Sequence, residues 1–276
     1  MRLDIFLTEN DLAKSRERAK ELIIGGGVTV NGNVTVKPSA DVNENDEIKV
    51  IGETLKYVGR GGLKLEKAID VFGISVKGKV CVDLGTSTGG FTDCLLKNGA
   101  AKVYAVDVGH GQLDESLVKN PSVVNMERTD IRNVKADDLG GRSEFVCCDV
   151  SFISLKHILP VICDILSDSG ESVVLIKPQF ECGRADIGKG GIVRSPKVHE
   201  RVIKEIIFTA EECGLYADKA DYSPVCGGDG NIEYIMHLMH MKRETLYINA
   251  CTPIDVKKVT CNAFSALKKK KGTKAR

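Results

Sequence analysis

An aspartate closing an apolar run, three glycines just beyond it and a second aspartate 24 residues further on are the first residues whose types and spacing suggest chemistry. In VCVDLGTSTGGF (80–91), Asp83 stands at a strand end and Gly85, Ser87, Gly89 and Gly90 occupy the turn that follows. The glycine spacing fails the G-x-G-x-x-G dinucleotide fingerprint, and no G-K-[ST] follows to make a P-loop. It fits D-x-G-x-S-x-G, in which missing side chains let the backbone approach a ligand and Asp83 can accept from an ammonium or from water. Asp107, at the end of KVYAVD, is where a carboxylate reads the hydroxyls of an adenosine ribose. Asp130, after the third strand, is placed to reach an adenine amino group. Together these features favour S-adenosylmethionine over NAD. The sequence calls for no metal.

Four more residues fall where a parallel sheet presents side chains at its carboxyl edge. Lys177 ends the apolar run SVVLI directly before Pro178, a position hard to explain as a solvated face. Asp149 ends FVCCD, next to where a sulfonium would lie. Glu233 shares a face of NIEYIMHL with Ile235 and His237, a pattern that an edge strand with a solvent-facing carboxylate would also give. Lys64, in LKLEKAI, reads by itself as an ordinary helix lysine facing water with Lys67.

The elements that must position these residues follow from periodicity. After a helix at 63–72, apolar runs near 79–84, 102–107, 123–127, 144–150, 172–177, 215–223 and 231–239 alternate with helical segments. Such alternation predicts a mainly parallel, doubly wound α/β sheet of Rossmann type, with its ligand at the carboxyl ends of the strands. Residues 1–59 have a different grammar. Leu3, Ile5, Phe6 and Leu7 begin a short helix, Ser15 precedes RERAKELI as a cap, and the runs VTVNG and EIKVIG suggest a small hairpin sheet around an Asn-Gly turn. This is a small α+β binding module ending in a linker at 53–59, and residues 60–276 form the catalytic domain. Residues 178–195 read as a long glycine-rich loop and a candidate lid. The tail from Lys257 onward, with eight Lys or Arg and no acid, reads as a frayed or RNA-facing end.

Composition narrows the class. A net charge of +1, 42% hydrophobic and 28% charged residues describe an ordinary soluble protein, so any polyanion must be met by local charge. The ten cysteines contain no C-x-x-C pair, which argues against a zinc ribbon, and they read as reduced core thiols of a cytoplasmic protein. No apolar run approaches the roughly 18 residues of a membrane span.

The motifs RLD, SRERAKELI, GGVTVNG, GRGGLKLEKA, VDLGTSTGGFTD, AVDVGHGQL, ERTDIR, CDVSFISL, LIKPQFE and GGDGNIEYI occur in order over about residues 2–240. With them the chain resembles the TlyA family of ribosomal RNA 2′-O-methyltransferases, often labelled hemolysins, whose catalytic domain is similar to the FtsJ/RrmJ methyltransferases. The resemblance implies a Lys-Asp-Lys-Glu tetrad at Lys64, Asp149, Lys177 and Glu233. It identifies the front module as an S4-type RNA-binding domain, with Arg2, Lys14, Ser15, Arg16, Arg18, Lys20 and Arg60 facing RNA. The implied substrate is a cytidine ribose in large-subunit ribosomal RNA. The tail past Met241 is similar to that of members that also modify small-subunit RNA.

Methyl transfer from a sulfonium is an in-line displacement that leaves the protein to place the acceptor and handle one proton. Lys177 is the expected base or orienting group. A free lysine has a pKa near 10.4, so keeping it neutral at pH 7 costs roughly 4 to 5 kcal/mol. Phe91, Phe152 and Phe180 are the aromatic residues placed to stack on a flipped base. Two other classes compete: a membrane-active hemolysin and a non-catalytic RNA-binding assembly factor.

Overall fold

The computed structural model describes residues 1–13, 15–24, 26–50, 56–227, 230–240 and 254–272. Lys14, residues 53–55 of the expected linker and the last four residues of the basic tail lie outside that set. The chain divides into two compact units, Met1–Arg60 and Gly61–Arg276.

In the first unit, helices α1 (Leu3–Glu9) and α2 (Arg16–Ile24) pack on a small antiparallel sheet of β1 (Val28–Val30), β2 (Asn33–Val34) and β3 (Ile48–Val50), ordered β2-β1-β3. Leu3, Leu7, Ala19, Ile23, Val28 and Val42 form its core. The Asn-Gly signal acts as expected: Asn31 and Gly32 have φ of 52° and 78°, and Val30 pairs with Asn33 across the two-residue turn. The Ser15 hydroxyl accepts the Arg18 N–H at 3.2 Å and so caps α2.

The second unit begins with α3 (Gly61–Phe72), followed by β4 (Val80–Leu84), α4 (Gly90–Lys97), β5 (Lys102–Val106), α5 (Glu115–Val118), β6 (Val123–Met126) and β7 (Ser143–Cys148). Then come α6 (Leu159–Ile165), β8 (Leu166–Ile176), α7 (Pro178–Glu181), α8 (Pro196–Glu212), β9 (Leu215–Tyr222), β10 (Tyr234–His240) and α9 (Val256–Gly272). The seven strands are ordered β6-β5-β4-β7-β8-β10-β9. The pairs from β6 through β8 are parallel, whereas β10 runs antiparallel to both neighbours. Strands covered on both faces must be apolar throughout, which is why VCVDL and SVVLI were readable as runs.

Three expectations change. Residues 178–195 are not a structureless loop: α7, a 3₁₀ turn at Arg184–Asp186 and a bridge between Gly188 and Ile192 organise them. The basic tail is not frayed through Gly272. It forms α9, whose Val256 and Ala263 join the sheet core and whose Phe264 ring meets His199 edge-on at 5.0 Å. The cysteines are not all core thiols, since Cys81, Cys94, Cys147 and Cys148 are buried while Cys261 is exposed. Among the described residues, no helix is long and apolar enough to cross a membrane.

Candidate active site

The turn after β4 is built on positive φ angles, +85° at Gly85, +50° at Ser87 and +95° at Gly89. Gly90 is the first residue of α4 and is buried. At Gly85 the close neighbour is protein: a Cβ there would lie 2.9 Å from the Asp149 carbonyl oxygen. The bare Cα therefore seats the turn against the backbone of Asp149, whose N–H bonds the Leu84 carbonyl at 3.0 Å. One glycine thus fixes the distance between the turn and the cluster described below.

Asp83 is fully buried, and its Oδ2 accepts the Thr92 N–H at 3.0 Å and the Thr92 hydroxyl at 2.7 Å. Its Oδ1 has no hydrogen-bond partner, and burial pushes the carboxyl up to about 7. Asp107 receives the Ser87 and Gly109 N–H groups, each at 2.7 Å on a different oxygen, and so pins the first turn to the second. Asp130 is differently engaged. It caps the 3₁₀ turn Ile131–Asn133 and takes the Arg132 guanidinium in a fork, which holds its carboxyl near 2. Glu127, which the sequence reading passed over, accepts the Gln112 N–H at 3.0 Å and shapes the second turn.

Beside the first turn the four strand-edge residues converge. Lys64 Nζ lies 3.1 Å from Asp149 Oδ2 and 2.7 Å from Glu233 Oε2, and Lys177 Nζ lies 2.5 Å from Asp149 Oδ1. Lys64, Lys177 and Glu233 are buried, and the Asp149 side chain is only 17% exposed. For Lys64, burial disfavours the charge, but Asp149 and Glu233 outweigh it and the pKa is raised. For Asp149, burial opposes ionisation, but Lys64 and Lys177 prevail and the pKa is lowered. Two ammonium and two carboxylate groups compensate one another where a lone charge could not remain.

The topology explains the meeting. Tyr234 pairs with Ile176, so antiparallel β10 starts beside the carboxyl end of β8 and brings Glu233 to Lys177. Glu233 is therefore no edge-strand solvent residue, since β9 covers the far side of β10. Lys64 does not face water either; α3 lies against β10 and points it into the cluster.

One partner of this cluster, and one residue that braces the loop beside it, had no sequence signal beyond adjacency. Exposed Ser151 accepts from Lys177 Nζ at 2.9 Å, and Glu181 holds the following loop by accepting the Ser154 hydroxyl at 2.6 Å and the Leu155 N–H at 2.8 Å. Between them Phe152 is 91% exposed at φ +64°, with its ring 4.9 Å from that of Phe180. A bulky side chain held solvent-facing in the left-handed region is a costly arrangement for packing alone. Phe91, by contrast, is core, at 3% exposure.

In the first unit, Asp4 is fully buried and bonded by Arg2 at 2.9 Å and Arg16 at 3.2 Å. Arg18 Nη1 donates to the Val58 carbonyl at 2.9 Å. Lys20 is partly exposed, and Arg60 Nε has no hydrogen-bond partner.

Comparison with known proteins gives the family. Residues 57–240 match the family model of FtsJ-like methyltransferases and residues 1–48 that of the S4 domain. A relative from Bacillus subtilis strain 168, provisionally named rRNA methyltransferase YqxC, is 47% identical over 272 residues, covering 98% of this chain and 96% of its own. The 16S/23S rRNA (cytidine-2′-O)-methyltransferase TlyA of Mycobacterium tuberculosis H37Rv is 41% identical, over 86% of this chain and 89% of its own. A solved structure from Streptococcus thermophilus, provisionally named a hemolysin, superposes with a TM-score of 0.78 at 40% identity, covering 99% of this chain and 98% of that one. The chain belongs to the FtsJ-like methyltransferase family and carries an S4 domain at its front.

Proposed function

We propose that this protein methylates the 2′-hydroxyl of a cytidine in large-subunit ribosomal RNA, within the cytoplasm. S-adenosylmethionine supplies an electrophilic methyl on a positively charged sulfur. The residues of the two turns fit that ligand: Asp83 keeps an unfilled acceptor, and Asp107 retains lone pairs beyond the two N–H groups it holds. Asp130 has its carboxylate already engaged by Arg132, so its part in holding an adenine requires that fork to share.

The observation that carries the reading is the buried Lys64-Asp149-Lys177-Glu233 cluster packed against the glycine turn. In the transfer a bond forms between the ribose 2′-oxygen and the methyl carbon, the carbon–sulfur bond breaks, and the hydroxyl proton leaves. Lys177 Nζ, fixed by Asp149 and Ser151, has one tetrahedral position left for the hydroxyl. As an amine it takes the proton there. As an ammonium it aims the oxygen lone pair and the proton passes to water. Lys64 bridges the two carboxylates and holds Asp149 in place. Phe152 and Phe180 offer rings to a base turned out of its helix. The S4 domain, with Arg2, Arg16, Arg18, Lys20 and Arg60 in its unit, holds the RNA.

Mapping 2′-O-methylation across both ribosomal RNAs in cells with and without the gene tests this. The expected result is loss of methylation at discrete cytidines. Unchanged maps overturn the proposal.

A further inference from the structure

Gly227 presents a feature that neither the glycine turns nor the four-residue cluster accounts for. A Cβ built on it would lie 2.6 Å from Glu233 Oε1 and 3.4 Å from its Cδ, well inside contact distance. Its φ is not in the left-handed region, so backbone conformation does not demand a glycine there. The demand comes from the Glu233 carboxylate, whose other oxygen holds Lys64 at 2.7 Å.

The backbone of this segment has little room to retreat. Gly227 N–H bonds the Asn231 carbonyl at 3.0 Å, Gly230 N–H bonds the Gly227 carbonyl at 2.9 Å, and Ser223 N–H bonds the Glu233 carbonyl at 2.8 Å. Asn231, 1% exposed, ties the segment to its neighbour by accepting the Val193 N–H at 3.0 Å and donating to the Gly191 carbonyl at 2.9 Å. Between a braced main chain and the free end of a glutamate, the glutamate yields.

We infer that Gly227 is a positioning residue for methyl transfer: its bare Cα is the wall that sets the Glu233 carboxylate against Lys64, and through Lys64 the orientation of Asp149. This rests on the role proposed above for the four-residue cluster. A methyl at position 227 moves Glu233 off Lys64 by rotating a side chain, so the backbone fold is kept while the reacting geometry is lost.

The test is Gly227→Ala measured alone, against Glu233→Asp, and combined with it, because aspartate withdraws the carboxylate by one methylene and leaves room for the added methyl. Single-turnover transfer by Gly227→Ala is expected to fall about 100-fold, the usual cost of a displacement near 1 Å. Cofactor and RNA dissociation constants should stay within about twofold, and the variant should keep the wild-type circular-dichroism spectrum. In the Glu233→Asp background the same substitution should cost less than about threefold more, because the two changes act on one contact. An equal loss in both backgrounds, or a loss confined to binding, overturns the inference. A readout independent of turnover is the ¹³C chemical shift of the Glu233 carboxyl carbon, which should move in Gly227→Ala as the carboxylate leaves Lys64. An unmoved resonance rejects the inference, whereas a wild-type protein that transfers no methyl rejects the functional proposal instead.

Discussion

Each unit of the molecule contains one aspartate gripped by two cations, and the two grips differ in kind. Asp4 in the first unit is fully buried, while its partners Arg2 and Arg16 keep side chains 44% and 50% exposed. Asp149 in the second unit is held by Lys64 and Lys177, exposed by only 10% and 8%. A guanidinium never gives up its proton in a protein, and its planar fork suits a structural clasp with donors left over for phosphate. An ammonium is a point charge that can change protonation when buried, at a cost the surroundings set. The first arrangement ties α1 to α2 and displays cations; the second buries its cations beside the glycine turn.

Removing the gripped acid separates the two most sharply. Asp149→Asn leaves two buried ammonium groups short of a partner and should lower stability by about 3 to 5 kcal/mol in denaturant unfolding. Where the variant stays folded, its methyl-transfer rate should drop by roughly 100- to 10,000-fold. A variant with wild-type rate would show that the second grip is only structural. Next in size is a swap of cation type. Lys177→Arg keeps the charge but forfeits the point-like amine, and should lose about 100-fold in single-turnover rate; Arg16→Lys should leave that rate untouched and weaken RNA binding by only a few-fold. Similar effects from both exchanges would erase the distinction.

How much of this was legible turns on which physical signals survive in a linear pattern. The strands of the sheet announced themselves as apolar runs, and the Asn-Gly hairpin and the Ser15 cap were readable because their chemistry is local. Strand direction is not encoded by alternation. Glu233 could therefore be read as an edge residue, although antiparallel β10 carries it to the carboxyl end of β8 and into the buried cluster. Lys64 sits on a helix whose spacing is amphipathic either way, and only the resemblance to a known family singled it out. Counting charge in the tail hid the spacing of Val256, Thr260 and Ala263, three residues that α9 buries. The reason for Gly85 was missed because its close neighbour, the backbone of Asp149, is 64 residues away in sequence.

The remaining predictions are set by proton affinity, where the two units diverge in sign. Asp83, in the second unit, has a native pKa raised to about 7 from 3.8. The folded chain keeps this proton longer than the unfolded one, so the contribution is complete below pH 4 and is lost as pH rises toward 7. Asp83→Asn lacks that loss, and the stability of wild type relative to this variant should decline by roughly 4 kcal/mol between pH 4 and 7. A flat difference across that window would contradict the buried, unfilled carboxyl. Asp4 behaves oppositely, with Arg2 first and Arg16 also holding it near 2 from 3.8. Its stabilisation is present above pH 4 and disappears as pH falls toward 2, so Asp4→Asn should be destabilising at neutral pH and indistinguishable from wild type at pH 2. This is the smallest effect, because both guanidinium groups are half in solvent.

The central claim is that Lys177 touches the hydroxyl that receives the methyl. It is tested most directly by single-turnover transfer of a radiolabelled methyl from S-adenosylmethionine to ribosomal RNA, comparing wild type with Lys177→Ala from pH 6 to 9 at saturating RNA. Loss of at least about 100-fold at every pH, with cofactor affinity preserved, is the predicted result. In wild type, a rate rising tenfold per pH unit marks Lys177 as the base, and a flat profile marks it as the orienting ammonium. A Lys177→Ala protein that transfers methyl at close to the wild-type rate would contradict the account.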